Sequence, residues 1–267
     1  MPLGLILAWV ARQSSSPSRT PTQGMPDQTA ADTTDRPLNR LLAVLPPAEY
    51  RRLQGRMELV RLRMQEILFE RGARTDFVYF PESGTVSLLA PMADGDAVEV
   101  GTVGNEGMVC VSVALGSDAS PHRATSQVPG RAFRIRTSDF HEVAPPGHPL
   151  HGLALRYAEA LMVQIAQSVA CNRAHTVSQR MARWLCMTHD RVGSEEFPLT
   201  QEVIAQMLGV RRQTVSEVAS EFHAARLIDY RLGRVTIEDR AGLERDACEC
   251  YRVVREHFDR VVGVPRG

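Results

Sequence analysis

The sequence predicts an α+β protein with an N-terminal β-roll or jelly-roll, one long central helix and a C-terminal winged helix-turn-helix. Three observations support this prediction. Short apolar segments separated by Gly and Pro turns fill residues 57–135, which is typical of antiparallel β-domains. After a Pro-rich break at residues 145–149, apolar residues recur every four positions. Two short amphipathic segments then lie on either side of Gly209 and are followed by a hairpin pattern.

These changes of pattern divide the chain into five segments. Residues 11–36 are rich in Ser, Thr, Pro, Asp and Gln, which is typical of disorder. The apolar start of the chain has no preceding basic region and is too short to cross a bilayer, so we expect neither a signal peptide nor a membrane anchor. Met25 is an alternative start of translation, which we favour over Met1. The segments are a disordered extension, the jelly-roll, the central helix, the winged helix-turn-helix and a C-terminal helix, at residues 1–35, 36–148, 149–176, 177–245 and 246–267.

Composition limits the classes of function. The 31 basic and 31 acidic residues give a formal net charge of zero, so the charge around any nucleic-acid-binding element matters more than the total. All the basic residues are Arg, which offers planar, bidentate donors to phosphate and guanine. The sequence contains no paired carboxylate motif, nucleophile elbow or P-loop, so we expect a protein that is not an enzyme.

The five cysteines are scattered and lack repeated CxxC spacing, which indicates free thiols and a reducing, cytoplasmic location. Cys248 and Cys250 lie two positions apart in a predicted helix. Their side chains would point to nearly opposite faces, which is poor geometry for one shared ion. We therefore expect no metal site.

In the β-region we predict strands at 57–63, 67–69, 77–80, 84–89, 97–103 and 133–135, with a turn at 81–84. The central helix then carries an apolar stripe that needs a partner surface. Either the chain's own jelly-roll or a second copy of the helix could bury it, and we favour the second copy. The stripe consists of Leu153, Tyr157, Leu161, Ile165 and Val169.

Residues 198–222 carry the most informative pattern. Thr200 can cap a first helix, and Gly209 stands where a tight turn needs positive φ. A second helix begins near Arg211, and the two helices have apolar faces that can pack together. The pattern therefore predicts a helix-turn-helix, whose second helix would present its first turns to a major groove. An ordinary helical hairpin with a solvated charged face is the alternative.

The polar side chains of this region fall into two groups. Arg pairs with guanine, Gln with adenine, and Glu accepts from cytosine, whereas phosphate contacts fix register. Arginines outnumber acidic residues between Gly209 and Arg234, unlike in the whole chain. The predicted base-reading residues are Arg212, Gln213, Ser216 and Glu217. The predicted backbone contacts are Thr200, Arg211, Thr214 and Ser220, with Arg231 and Arg234 at the tip of a hairpin wing.

Over residues 38–245 the chain resembles the Crp/Fnr family of bacterial transcription regulators, because the β-roll, long helix and winged helix-turn-helix follow in the same order. The resemblance implies a homodimer, double-stranded DNA with a palindromic site, half-sites about one helical turn apart, contact with RNA polymerase, and a small-molecule effector in the β-roll. The family's base-reading positions match Arg212, Gln213 and Glu217. Many relatives have Glu at the second position and Arg at the third, so the preferred half-site sequence is open.

The resemblance also suggests an effector pocket, at Gly104, Glu106, Gly107, Arg123 and Thr125. Cyclic-nucleotide-binding members have a Gly-Glu pair followed, after a short loop, by Arg, then Ser or Thr, and Ala. Here the loop is longer and Ala124 lacks the hydroxyl. Ile165 and Ala166 replace the Thr-Ser pair of the cyclic AMP receptors. We therefore expect an effector other than cyclic AMP.

Two other cofactors are relevant to this family resemblance. The oxygen-sensing branch holds iron–sulfur through N-terminal cysteines, but no cysteine precedes Cys110 here, so we expect no cluster of that kind. The histidines leave haem open. A second class of function also stays open, in which a cyclic nucleotide regulates a module that controls a partner protein.

Overall fold

The N-terminal half folds around a five-stranded antiparallel sheet. The computed structural model describes residues 36–93 and 97–263, so the expected extension at 1–35 lies outside the described residues. Two short helices come first, α1 (Arg40–Ala43) and α2 (Pro47–Gln54). The strands are β1 (Glu58–Leu62), β2 (Ile67–Phe69), β3 (Phe77–Pro91), β4 (Ala97–Val103) and β5 (Arg123–Arg136). They lie in the order β1-β5-β3-β4, and β2 also pairs with β5.

The prediction of a turn at 81–84 is wrong, because β3 runs through these residues as one strand. The register of the β3–β5 pairing shifts three times between Pro81 and Val86, so the strand bends without ending. Gly84 takes φ +81° in this bend, and a side chain at Gly130 would collide with the backbone of Ser83. Two long bent strands therefore replace the shorter ones that the sequence predicts.

The central helix follows α3 (Thr137–Val143) and is α4 (Pro149–Ala174). His148 caps it by accepting the Leu150 N–H, and Pro149 occupies the first turn. The predicted stripe divides between two environments. Leu153, Tyr157 and Leu161 are buried in the protomer's own β-roll core.

The assignment of the whole stripe to a dimer contact is therefore wrong for these three residues. Ile165 is partly buried against the same core, and Val169 is 69% exposed. A second row of exposed apolar side chains lies on another face of α4 at seven-residue spacing, namely Leu155, Met162 and Val169. Among the described helices, none is both long enough and apolar enough to cross a membrane.

The C-terminal half has its own core and a three-stranded sheet in the order β6-β8-β7. A capping box formed by Thr176 and Gln179 starts its first helix. Its elements are α5 (Val177–Val192), β6 (Glu196–Pro198), α6 (Gln201–Leu208), α7 (Arg212–Ala224), β7 (Ile228–Arg231), β8 (Arg234–Ile237), α8 (Arg240–Asp246) and α9 (Cys250–Val262).

The helix expected over 246–267 is present, with shorter bounds among the described residues. The chain leaves α8 at Asp246 and enters α9 only at Cys250. Helix α9 then lies along α4 and buries Val254, Phe258 and Val262 in the β-roll core. The last described helix thus returns to the N-terminal half.

Candidate nucleic-acid interface

Helices α6 and α7 form the predicted helix-turn-helix. The Thr200 hydroxyl accepts the Val203 N–H at the start of α6. Gly209 ends α6 at φ +63°, a conformation that favours glycine. Buried side chains of both helices, among them Ile204 and Val215, lie in one core. The two helices therefore pack against each other, and the polar side of α7 faces outwards.

Three of the four predicted base-reading side chains lie on that outer side. Arg212, Gln213 and Glu217 are exposed. The Gln213 Nε2 donates to Glu217 Oε1 at 3.1 Å, which aligns the two side chains along one helical face. The guanidinium groups of Arg211 and Arg212 make no hydrogen bond or ion pair with the described residues. This end of α7 thus presents positive charge to solvent.

Ser216 has a different environment from the other three. Its hydroxyl donates to Gln201 Oε1 at 2.7 Å and so ties α7 to α6. Ser220 donates to the Ser216 carbonyl within α7, and Thr214 is half-buried. In this structure Ser216 therefore fixes the packing of the two helices.

The predicted wing is the β7–β8 hairpin. Arg231 pairs with Arg234 across a turn in which Leu232 and Gly233 take positive φ, as a two-residue hairpin turn requires. Arg231 forms an ion pair with Asp229 at 2.8 Å, and Arg234 forms one with Glu196. Both arginines stay at least half exposed. Leu232 is fully exposed at the tip, and the sequence pattern did not mark it as functional.

The predicted effector residues separate into two places. Glu106 is buried and receives two hydrogen bonds from Arg191 of α5, at 3.1 Å from Nε and 2.6 Å from Nη2. A side chain at Gly104 would collide with Arg191, and one at Gly107 would collide with Tyr157 of α4. The chain itself therefore fills the space beside these three residues.

The other two pocket residues lie on β5. Arg123 is at the surface and pairs with Glu70 at 2.7 Å. Thr125 pairs with Ser87 across β3 and β5. Its buried hydroxyl has no hydrogen-bond partner among the described residues.

A second buried carboxylate joins the β-roll to the C-terminal helix-turn-helix domain. Glu99 of β4 accepts from the Ser87 hydroxyl at 2.6 Å and from Trp184 Nε1 of α5 at 3.1 Å. Met207 of α6 lies against the same serine, 3.8 Å from its hydroxyl. One signal for this contact was present in the sequence, a Glu flanked by two valines in a predicted strand. The helix-turn-helix thus touches the strands directly.

Burial raises the pKa of Glu99 from its usual 4.5 to about 7, although hydrogen bonds from Ser87 and Trp184 and the charges of Arg191 and Arg183 act in the opposite direction. We expect the free energy of unfolding to decrease as pH rises through this range, because folded Glu99 keeps a proton that the unfolded chain has released. This contribution is fully present below pH 4.5 and is lost as pH rises through about 7.

Denaturant titrations of Glu99→Gln at several pH values check this expectation. The amide oxygen accepts from Trp184 and the amide NH₂ group can donate to the Ser87 hydroxyl, so the new side chain stays hydrogen-bonded but does not titrate. The profile should therefore become flatter between pH 4.5 and 7. Glu70→Gln, which removes a partly exposed carboxylate of the β-roll, is the control and should keep the wild-type slope. Equal slopes for Glu99→Gln and wild type would contradict the assignment.

The geometric argument against a metal site is wrong. Cys248 lies between α8 and α9, and Cys250 is the first residue of α9, so the two thiols do not point to opposite faces of one helix. Both lie beside Cys171 and His175 at the end of α4. One ligand atom from each of the four residues falls within 4.8 Å of the others. This group is able to hold a metal ion.

Two family models match the chain. A cyclic nucleotide-binding domain model matches residues 59–144 of the β-roll. A Crp-like helix-turn-helix domain model matches residues 179–246. Together the two matches span more than half of the chain. A search of curated proteins found no match.

Several solved structures share the fold. TTHB099, a CRP-family transcriptional regulator from Thermus thermophilus, is 23% identical with a TM-score of 0.58, over 70% of this chain and 96% of its own. FixK2 from Bradyrhizobium japonicum is 14% identical with a TM-score of 0.59, over 72% and 98%. The c-di-GMP-responsive global regulator CLP from Xanthomonas campestris is 17% identical with a TM-score of 0.53, over 73% and 100%. These likenesses show a common fold.

Proposed function

This chain belongs to the Crp/Fnr family of DNA-binding transcription regulators that a ligand modulates, and we propose that it acts as a homodimer on a palindromic promoter site. The observation that carries the proposal is the exposed polar side of α7, with Arg212, Gln213 and Glu217 on a helix packed against α6. Arg211 and the two wing arginines are placed for phosphate. We also propose RNA polymerase as a partner and a cytoplasmic location, which membership of this family supports.

The exposed row on α4 supports the homodimer. Leu155, Met162 and Val169 repeat every seven residues, which is the spacing of a two-helix seam. Met162 and Val169 are each 69% exposed in the single chain. A second copy of α4 would cover this row and would place two α7 helices on one duplex.

We propose that the effector binds the β-roll face that carries Glu99. Thr125 Oγ1 and Gln127 Oε1 are buried there without hydrogen-bond partners among the described residues, and a polar ligand would satisfy such groups. The same face contacts Trp184 of α5 and Met207 of α6. A ligand at this face would therefore shift helices α5 and α6, and with them the proposed DNA-contacting helix α7.

One observation disfavours cyclic AMP as that ligand. Glu106, the carboxylate of the predicted effector pocket, is already neutralised by Arg191. We propose a small-molecule effector of another kind.

The test is selection of binding sites from a random-sequence DNA library by the full chain. We expect a palindrome to be enriched. On that site Arg212→Ala should cost about 1–3 kcal/mol and relax specificity at one base pair of each half-site. Arg245→Ala, which removes an exposed arginine of α8 outside the reading head, is the matched control and should bind as wild type. Fluorescence anisotropy at fixed salt measures both.

Equal losses for Arg212→Ala on selected and on unrelated DNA would show that Arg212 touches only phosphate. A library that yields no palindrome, at low salt and with candidate effectors added, would contradict the promoter-reader proposal. Tight cyclic-nucleotide binding without DNA affinity would favour the alternative, a module that controls a partner protein.

A further inference from the structure

We propose that Cys171, His175, Cys248 and Cys250 bind one zinc ion in a closed tetrahedral Cys₃His site. The three sulfurs and a ring nitrogen all lie within 4.8 Å of one another, and the three cysteines are buried. A Cys₃His set is a common structural zinc site, because thiolates and imidazole suit this ion. Binding would release the thiol protons to solvent, since only the thiolate is a ligand.

The distances fit a single ion. Zinc binds sulfur at about 2.3 Å and nitrogen at about 2.0–2.1 Å. Tetrahedral angles then require about 3.8 Å between two sulfurs and about 3.6 Å between sulfur and nitrogen. The Cys171 and Cys248 sulfurs are 3.5 Å apart, and Cys250 Sγ is 3.6 Å from His175 Nδ1. The cysteine sulfurs that bind an iron–sulfur cluster of several irons lie further apart than these ligand atoms do. The spacing therefore favours a single ion.

The surroundings orient two of the ligands. His175 turns Nδ1 towards Cys250, and its Nε2 lies 3.2 Å from a carboxylate oxygen of Glu249. A carboxylate on the far nitrogen of a histidine fixes the ring and its tautomer in zinc sites. Gln167 Nε2 donates to Cys250 Sγ at 3.0 Å, which stabilises a thiolate. The polar groups that support metal ligands are thus present around these residues.

The position of the cluster gives the ion a structural role. Cys171 and His175 end α4, just before the reading domain begins at Val177. Cys248 and Cys250 follow α8, just after that domain ends. The ion would therefore join the chain where it enters and where it leaves the helix-turn-helix domain.

Cobalt is the probe for this site. The full chain is reduced, stripped with a chelator and titrated with Co²⁺ and then Zn²⁺. We expect saturation at one Co²⁺ per chain, with a thiolate-to-cobalt charge-transfer band and the intense visible bands of tetrahedral coordination. Zn²⁺ should displace the cobalt and abolish both signals. The metal content of the protein as purified, measured by mass spectrometry, should be one zinc per chain.

Matched variants assign the signals. Cys248→Ser should lose part of the charge-transfer intensity and weaken Co²⁺ binding more than tenfold. Cys110→Ser, a buried thiol of the β-roll outside the cluster, should match wild type. Glu249→Gln leaves all four ligands in place at an exposed position and should weaken binding about 10–100-fold. Glu256→Gln, an exposed carboxylate on the adjoining helix α9, is its control.

Three outcomes would overturn the proposal. The first is a weak, octahedral Co²⁺ spectrum, and the second is equal binding by Cys248→Ser and Cys110→Ser. The third is a Cys171–Cys248 disulfide in the purified protein whose reduction restores no metal uptake. Because Glu249→Gln removes no ligand and no buried group, a normal unfolding curve for this variant separates weaker binding from misfolding.

Discussion

Replacing Arg191 by methionine is expected to lower the free energy of unfolding by about 3–5 kcal/mol, because Glu106 would keep a buried charge without its partner. Both side chains are almost fully buried, at 6% and 8% exposure. The guanidinium also donates to the Thr102 hydroxyl at 2.5 Å and to Gln164 Oε1 at 3.2 Å, so further acceptors would lose a donor. Denaturant titration followed by circular dichroism measures the change.

Two further variants test the physical reason. Adding Glu106→Gln to Arg191→Met should recover most of the loss, since no charge then stays buried and the Gly104 N–H keeps an acceptor. Arg234→Met breaks an ion pair whose side chains are both half exposed, and should cost about 0–1 kcal/mol. If Arg191→Met and Arg234→Met cost the same, the Arg191–Glu106 pair is not a buried one in solution.

Replacing Met162 by glutamate is expected to convert the proposed dimer to a monomer and to weaken binding to the proposed palindromic site by about two to four orders of magnitude. The charge would be placed in the middle of the exposed row on α4, where a second copy would have to desolvate it. A monomer also loses the gain that comes from binding two linked half-sites. Sedimentation velocity and anisotropy on the selected site measure the two effects.

Met64→Glu is the matched control for Met162→Glu. Met64 is also an exposed methionine, at 37%, but it lies between β1 and β2 in the β-roll. The control should remain a dimer with wild-type affinity. A Met162→Glu protein that still sediments as a dimer would place the dimer contact elsewhere on the chain.

The helix-turn-helix was predictable because its signals are local. Capping by Thr200, the positive φ of Gly209 and the apolar faces of two short helices lie within one stretch of sequence, and the structure confirms each. The hairpin turn at Leu232 and Gly233 was predictable for the same reason. Residues close in sequence fix such elements with little help from the rest of the fold.

The contacts between the halves of the chain were not predictable in this way. Arg191 and Glu106 are 85 positions apart, and Cys171 and Cys248 are 77 apart. No periodicity links residues so distant, and only the fold brings them together. The apolar stripe of α4 failed as a dimer predictor because periodicity shows that a face is buried but does not show what buries it.

The hydrogen bond between Trp184 and Glu99 gives this protein a built-in optical probe. The chain has two tryptophans, and Trp184 is the single one among the described residues. Its indole sits at the seam where strand β4 meets helix α5, 8% exposed, with the N–H on a carboxylate. In a Trp9→Phe background, the emission wavelength and the quenching of Trp184 would therefore report in real time whether the two halves are in contact or separated, without any added dye.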